Sequence, residues 1–363
     1  MLDMLSNIGK RPEMPTLHIA ERVVKQMAAA GQQYLEDETG EAMIGVVLPP
    51  QGDDAQTAVY VIDTIAPGAD ALRASHTFQQ GGIWQDDVLN WLRENWEMGR
   101  RSHTPPDGSQ QNWDVPLYHV GDWHKQPGFM IQPSGGDLQT AAAIVNERGH
   151  RFGFTIAPIL TIDHPATVTA PPERTNYVRV EQPNGLMTRI DFWFIGRGML
   201  SFHPISAQVV PDDQFPPLMP YPWHLVSEQR AQQEMQLLEG DGLMVDVLLW
   251  DADGQLPLEV CFLTARSGAS TFMLLATQPD YPDSPPAAYT LPYSGGIQPD
   301  EDLYHLLERT WAKAAIVPVA DFQWTPGKTL LEYMHAAEVA LGWREPTPEP
   351  QTTSPSASDE EQP

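Results

Sequence analysis

Apolar positions near the start of the chain recur at two different spacings. In LHIAERVVKQMAAAG, from Leu17, they lie three and four residues apart and predict a helix ending at Gly31. The runs AMIGVVLP and TAVYVIDTIA are rich in β-branched residues and bounded by Pro, Gly and Asp, which predicts strands. In IWQDDVLNWLRENWEM, spacings of three and four predict a second helix whose large apolar residues pack in a core: Trp84, Val88, Trp91, Leu92 and Trp96.

Helices and strands continue to alternate up to about residue 210. The polar stretch 101–114 is predicted to be a loop, and PLYHVGDWH to be the strand that follows it. LQTAAAIVNERG predicts a helix, and RFGFTIAPILTI, NYVRVEQ and RIDFWFIG predict further strands. This alternation predicts a mixed α/β (α+β) domain over residues 12–210.

A proline-rich segment separates this part from a second predicted domain. Residues 211–222 include five prolines and are predicted to form a stiff linker. Residues 223–343 then show a helix (SEQRAQQEMQLLEG), three strands (LMVDVLLW, LPLEVCFLTA, STFMLLATQ) and helices around 301–313 and 328–341, which predicts a smaller α+β domain. Residues 344–363 are acidic and almost without apolar side chains, which is typical of a disordered tail.

Composition narrows the classes of partner. With 48 acidic and 21 basic residues, the 363-residue chain has a formal charge of −27, which repels nucleic acids and anionic membrane surfaces. It has a single cysteine, Cys261, no apolar run of membrane-spanning length, and no apolar signal core in MLDMLSNIGKRPEMP. We therefore expect a soluble protein of a reducing cytoplasm.

Candidate chemistry lies in HKQPGFMIQPSGGD, residues 124–137. Side chains two apart on a strand face the same way, so His124 and Gln126 can address one ion. A turn after them would bring Ser134 and Asp137 round, and these two share a face if the turn opens a helix. The spacing can therefore deliver an imidazole, a hydroxyl and a carboxylate to one point.

The same spacing resembles the JAMM metallopeptidases, also called the JAB or MPN family. That family has an early glutamate, then His-x-His-Pro, with Ser ten and Asp thirteen residues after the first His. Ser134 and Asp137 stand at those distances from His124. The stretch ETGEAMIG is similar to the family's glutamate-bearing strand entry, with Glu38 in the matching position; Glu41 fits the frame less well.

The resemblance implies a division of roles. Family members remove ubiquitin-like proteins with a zinc cofactor; by resemblance His124 and Asp137 would bind zinc, Glu38 would act as general base, and Ser134 would stabilise the oxyanion. Gln126 stands where the family has its second histidine, and a neutral amide oxygen is a much poorer zinc ligand. Two interpretations follow: a zinc isopeptidase or tail-processing peptidase, or an inactive scaffold that binds a ubiquitin-like protein or its conjugation enzymes.

Another histidine could replace the missing ligand. His119 lies five residues before His124, an odd spacing that places it on the other face of a regular strand and predicts a structural role. His103 could approach from the predicted loop, and His76 and His150 are not placed by the sequence.

The second domain resembles the ubiquitin-conjugating-enzyme and RWD superfamily. The resemblance rests on the leading helix, the successive strands, a turn containing Tyr281, Pro282, Pro285 and Pro286, and WTP before the helix KTLLEYMHAAEVAL. Cys261 precedes the turn, within a predicted strand, so no thioester is expected. By resemblance the turn would bind a ubiquitin-like protein or its activating or conjugating enzymes; an unrelated α/β domain is the alternative.

Overall fold

Two compact units make up the chain, one ending at Tyr221 and the other beginning at Pro222. The computed structural model describes residues 13–50, 56–103, 113–147, 151–169, 175–293 and 303–345. Most of the predicted loop 101–114, the His103 side chain, His150 and residues 346–363 of the predicted tail lie outside this description. Within the described residues no helix is long and apolar enough to span a membrane. The mixed α+β architecture is confirmed.

The first unit is built around one large sheet. Its elements, in chain order, are β1 (Thr16–Ala20), α1 (Glu21–Gln33), β2 (Thr39–Leu48), β3 (Ala58–Ile65), β4 (Leu72–Ala74), β5 (Thr77–Gln79), α2 (Ile83–Gly99), β6 (Tyr118–Lys125), α3 (Gly135–Asn146), β7 (Phe154–Ile156), β8 (Ile159–Ile162), β9 (Tyr177–Glu181), β10 (Met187–Asp191), β11 (Trp193–Gly196), β12 (His203–Pro204) and β13 (Ala207–Val210). In the described residues the sheet runs β12-β11-β7-β6-β2-β3-β1-β13, and β8, β9 and β10 pair off this path. Strands β2 and β6 are therefore neighbours.

The prediction of a helix from Leu17 is wrong at its start. Thr16–Ala20 form β1, which pairs in parallel with both β3 and β13, and α1 begins at Glu21 and ends at Gln33, beyond Gly31. Leu17 and Ile19 are buried on one side of this strand. In the sequence, a short apolar run does not by itself distinguish a strand from a helix. Pairing with β3 and β13, which are distant in the sequence, makes this segment a strand.

The second helix agrees with its prediction. Val88, Leu92 and Trp96 of α2 are buried, and Trp84 is half-buried.

The proline-rich segment contacts buried residues of the first unit. Trp91 of α2 is buried and donates its indole N–H to the carbonyl of Pro220 at 3.1 Å. Phe215 is buried beside Trp113, with ring centroids 5.8 Å apart. Residues of the proline-rich segment thus pack on the first unit.

An antiparallel sheet with helices forms the second unit. Its elements are α4 (Trp223–Val226), α5 (Glu228–Gly240), β14 (Leu243–Trp250), β15 (Glu259–Arg266), β16 (Thr271–Thr277), β17 (Ala287–Pro292), α6 (Leu303–Trp311), β18 (Ala315–Ile316) and α7 (Leu330–Ala340), and the described strands follow the order β14-β15-β16-β17-β18. The three predicted strands and the three long helices are confirmed; β17, beyond the proline turn, was not predicted.

A buried carboxylate joins the proline turn to two helices. Glu234 of α5 is 0% exposed and accepts hydrogen bonds from the Tyr281 hydroxyl at 2.5 Å, Arg230 Nε at 2.7 Å and the Leu330 N–H at 2.8 Å. Tyr281 is therefore a core residue. Of the turn's prolines, Pro286 is buried as well, Pro282 is half-buried and Pro285 is exposed. Among the four turn residues predicted to contact a partner, only Pro285 is therefore exposed.

Cys261 is also a core residue. It lies in the middle of β15 with no exposed surface, and burial raises its thiol pKa well above the ordinary value. A thiol that is neither accessible nor ionised is not a nucleophile. The position thus favours the expectation that no thioester forms.

Glu259 should make stability depend on pH. Burial, together with the charges of Asp253 and Asp251, raises its pKa from 4.5 to about 7. Because the folded state holds this proton more tightly than the unfolded chain, its contribution to stability is complete below pH 4.5 and lost as the pH rises toward 7. We expect Glu259→Gln to remove this loss, about 1 to 3 kcal/mol, in denaturant unfolding of the full chain between about pH 5 and pH 8. Exposed Glu239→Gln should retain the parent's pH dependence.

Candidate metal centre

The start of β2 and the end of β6 bring three of the candidate residues together at one end of these two strands. They pair antiparallel with Gly40 opposite His124 and Thr39 opposite Lys125. Continuing this register by one position sets Glu38, just before β2, opposite Gln126. Directly opposed residues face the same side and the facing alternates along each strand, so Glu38, His124 and Gln126 share a face.

Glu41, the other glutamate of the stretch, faces away from these residues. It pairs with Trp123 on the opposite side of the sheet, where it is 8% exposed. Its pKa is raised by burial. The geometry thus places Glu38, rather than Glu41, beside the candidate ligands.

Ser134 and Asp137 open helix α3. The Asp137 N–H donates to Ser134 Oγ at 3.2 Å, and the Ser134 N–H donates to Asp137 Oδ2 at 2.6 Å, which forms a capping box. The expectation that the turn opens a helix is confirmed. The SxxD spacing therefore has a structural role, and the same cap holds the Asp137 carboxylate toward the end of β6.

The side chains of Asp137 and Gln126 both lie close to the His124 ring, at distances that a zinc ion could bridge. His124 Nε2 lies 3.7 Å from Asp137 Oδ2 and 3.2 Å from Gln126 Nε2. Ligands at about 2.0 Å from a tetrahedral zinc ion lie about 3.3 Å from one another. The spacing of the three side chains therefore fits zinc.

The amide of Gln126 supports this fit. Gln126 is 4% exposed, and its Oε1 is buried with no hydrogen-bond partner among the described residues. A buried acceptor without a partner is costly. A half-turn of the amide would exchange Nε2 for Oε1 beside His124, and an ion between them would satisfy that oxygen. The residues present therefore fit a zinc ion held by one imidazole, one carboxylate and one amide oxygen.

The local electrostatics suit both a ligand and a base. Burial lowers the pKa of His124, against the opposing charges of Asp137 and Asp122, so the imidazole is neutral, the form that binds metals. Partial burial and the charge of Asp137 raise the pKa of Glu38, while His76 and Lys125 oppose this rise. A carboxylate whose pKa moves toward neutrality is suited to general base catalysis.

A short hairpin that the sequence did not reveal covers part of this face. Strands β4 and β5 pair with each other, and the Ala74 carbonyl accepts the Glu38 N–H at 2.9 Å. Phe78 packs so closely on Gly40 that a Cβ there would lie 2.8 Å from its ring. The hairpin turn carries His76, which is exposed and acts electrostatically on Glu38. The hairpin therefore forms one wall beside the candidate base.

The predicted orientation of His119 is wrong. The pairing of β6 with β2 shifts by one residue, with His119 opposite Ile44 and Gly121 opposite Met43, so Val120 forms a bulge. The bulge cancels the odd spacing and places His119 on the same face as His124. There, His119 Nε2 lies 2.9 Å from Asp122 Oδ1. His119 is thus tied to Asp122, one of the two carboxylates that act on His124.

Comparison with known proteins shows a similarity over part of the chain. The chain matches no protein-family model. It is 28% identical over 129 residues to a protein named CD-NTase/cGAS isopeptidase from Enterobacter hormaechei subsp. hoffmannii (strain UCI 50). The match covers 36% of this chain and 58% of that protein, so the chain spans little more than half of the relative's length. Over about a third of its length, the chain is therefore similar to a bacterial isopeptidase.

Proposed function

We propose that the first unit is a zinc-dependent isopeptidase that acts on the C-terminal tail of a ubiquitin-like protein. The convergence of His124, Asp137 and Gln126, with Glu38 on the same face, carries this proposal. The similarity to an isopeptidase supports the class of reaction.

The chain's own residues can perform the steps of amide hydrolysis. His124, Asp137 and Gln126 would hold zinc, which supplies a water of lowered pKa and polarises the carbonyl. Glu38 accepts a proton from the attacking water and passes it to the leaving lysine amine as the C–N bond breaks. The Ser134 hydroxyl can donate a hydrogen bond to the carbonyl oxygen as negative charge develops there. The products are a free carboxylate on the tail and a free amine.

The second unit would bind rather than catalyse. Its resemblance to conjugating enzymes and its buried Cys261 favour recognition of a ubiquitin-like protein, or of the enzymes that activate or conjugate it, without a thioester. In view of the relative's name, a ubiquitin-like conjugate of a CD-NTase or cGAS protein is the first substrate to test.

One observation favours a second candidate function, a catalytically inactive scaffold. Gln126 Nε2 can donate to unprotonated His124 Nε2 at 3.2 Å, which satisfies the ring without an ion. In that case the motif would stabilise the end of β6, and the protein would hold the tail without cleaving it.

Measuring the zinc content of the purified protein distinguishes the isopeptidase from the inactive scaffold. We expect near-stoichiometric zinc by elemental mass spectrometry of the full chain, and at least a tenfold loss in Asp137→Asn because a charged ligand becomes neutral. Asparagine keeps an oxygen that can accept the Ser134 N–H, so the helix cap is retained. Asp86→Asn, in the first turn of α2, is a matched control.

The two outcomes have different consequences. Zinc in the parent and in Asp86→Asn, together with conjugate cleavage that is lost in Asp137→Asn, would support the isopeptidase. Equal, negligible zinc in all three proteins would contradict it and leave the scaffold function.

A further inference from the structure

Lys125, between the two candidate ligands of β6, is buried. Its side chain is on the opposite side of the strand from His124 and Gln126, and the residue is only 2% exposed. Burying an ammonium group costs several kcal/mol unless it is compensated. Methionine would occupy a similar volume without that cost. The charged group therefore points to a polar role at this position.

The ammonium group holds the segment that leads into Glu38. Lys125 Nζ donates to the Leu35 carbonyl at 2.9 Å and to the Asp37 carbonyl at 3.1 Å. The segment between α1 and β2 lies outside helix and strand, and Leu35 is 54% exposed. Lys125 thus gives this exposed connection a fixed point in the core, one residue before Glu38.

Nearby charges compensate the buried ammonium. Glu36, Asp37 and Glu38 all favour its charged form, against burial, which lowers the pKa of Lys125. The same proximity means that Lys125 acts electrostatically on Glu38. Glu38 is therefore anchored from both sides: through Asp37 to Lys125 and through its own N–H to the hairpin carbonyl of Ala74.

We propose that Lys125 is a positioning residue for Glu38, fixing the base opposite Gln126 by holding the carbonyls of Leu35 and Asp37. The inference rests on the proposed function of the first unit. One residue pair in β6 would then serve both halves of the site: His124 faces the ion, and its neighbour Lys125 holds the base. Geometry matters here because a displacement of about 1 Å in a reacting group can cost about a hundredfold in rate.

Lys125→Met tests this inference in the full chain. We expect hydrogen exchange at the Glu38 amide to quicken at least tenfold, because the segment loses its anchor. In steady-state cleavage of a ubiquitin-like conjugate, kcat should fall by about 10- to 100-fold, with KM and zinc content unchanged. Lys25→Met, an exposed lysine on α1, is the matched control and should behave as the parent.

A double-mutant cycle sharpens the result. If Lys125 acts through the base, Lys125→Met should lower the residual rate of Glu38→Gln little further, whereas independent roles would give additive losses. Lys125→Gln, which keeps an amide donor group, serves the same comparison if the methionine variant does not fold.

Several results would overturn the inference. These are an unchanged kcat, a rate loss that parallels zinc loss, or additive effects in the double mutant. A parent that cleaves no conjugate would instead contradict the proposed function, and the exchange measurement would still show whether Lys125 orders residues 35–38. The two failures are therefore distinguishable.

Discussion

Glu38→Gln is expected to lower isopeptide cleavage by a factor of about 10² to 10⁴ while leaving zinc content unchanged. Glu38 lies on the same face as His124 and Gln126, and partial burial together with the charge of nearby Asp137 raises its pKa. Glutamine has nearly the same shape but cannot accept a proton from water. The loss should therefore be in kcat, measured by steady-state cleavage of a ubiquitin-like conjugate.

Glu94→Gln is the matched control for this prediction. Glu94 is exposed on α2, away from the residues assigned to the site. Removing its charge tests whether a general loss of acidity, rather than the base itself, lowers the rate. Full activity in Glu38→Gln would contradict the mechanism, and equal losses in both variants would contradict the assignment of the base to Glu38.

The parts of the site that local geometry determines were predictable from the sequence. The two-residue spacing of His124 and Gln126 requires only a strand, and that of Ser134 and Asp137 requires only a helix start; the structure has both. The spacing could not show that the capping box already uses Ser134 Oγ and Asp137 Oδ2. One short motif thus has a folding role beside its candidate chemical role.

Features that depend on distant strands were not predictable. The bulge at Val120 reverses the facing of His119, and it lies next to a close tertiary contact: a Cβ at Gly121 would lie 1.9 Å from the carbonyl oxygen of Ile156. The hairpin beside Glu38 has only three residues in each strand, LRA and TFQ, which is too short for a recognisable strand pattern in the sequence. Lys125 reads as a solvated charge in sequence, because only the fold brings Leu35 and Asp37 to it.

The identity of residue 126 should control metal affinity more strongly than any change outside the ligand set. We expect Gln126→His to raise zinc affinity by more than about a hundredfold, since altering outer-shell partners alone costs about 10- to 100-fold. An imidazole would place a basic nitrogen where a neutral amide now lies 3.2 Å from His124 Nε2. Competition with a chelator of known affinity measures the change.

Gln126→Leu provides the opposite change at the same position. Leucine fills a similar space without a polar atom, so it should lower zinc affinity below that of the parent if the amide oxygen is a ligand. Parent-like affinity in the leucine variant would mean that Gln126 does not bind the ion. A different outcome is that only the histidine variant binds zinc, while the parent neither binds the ion nor cleaves the conjugate. In that case His124 and Asp137 retain the geometry of a metal site, and the parent protein would hold a tail without cleaving it.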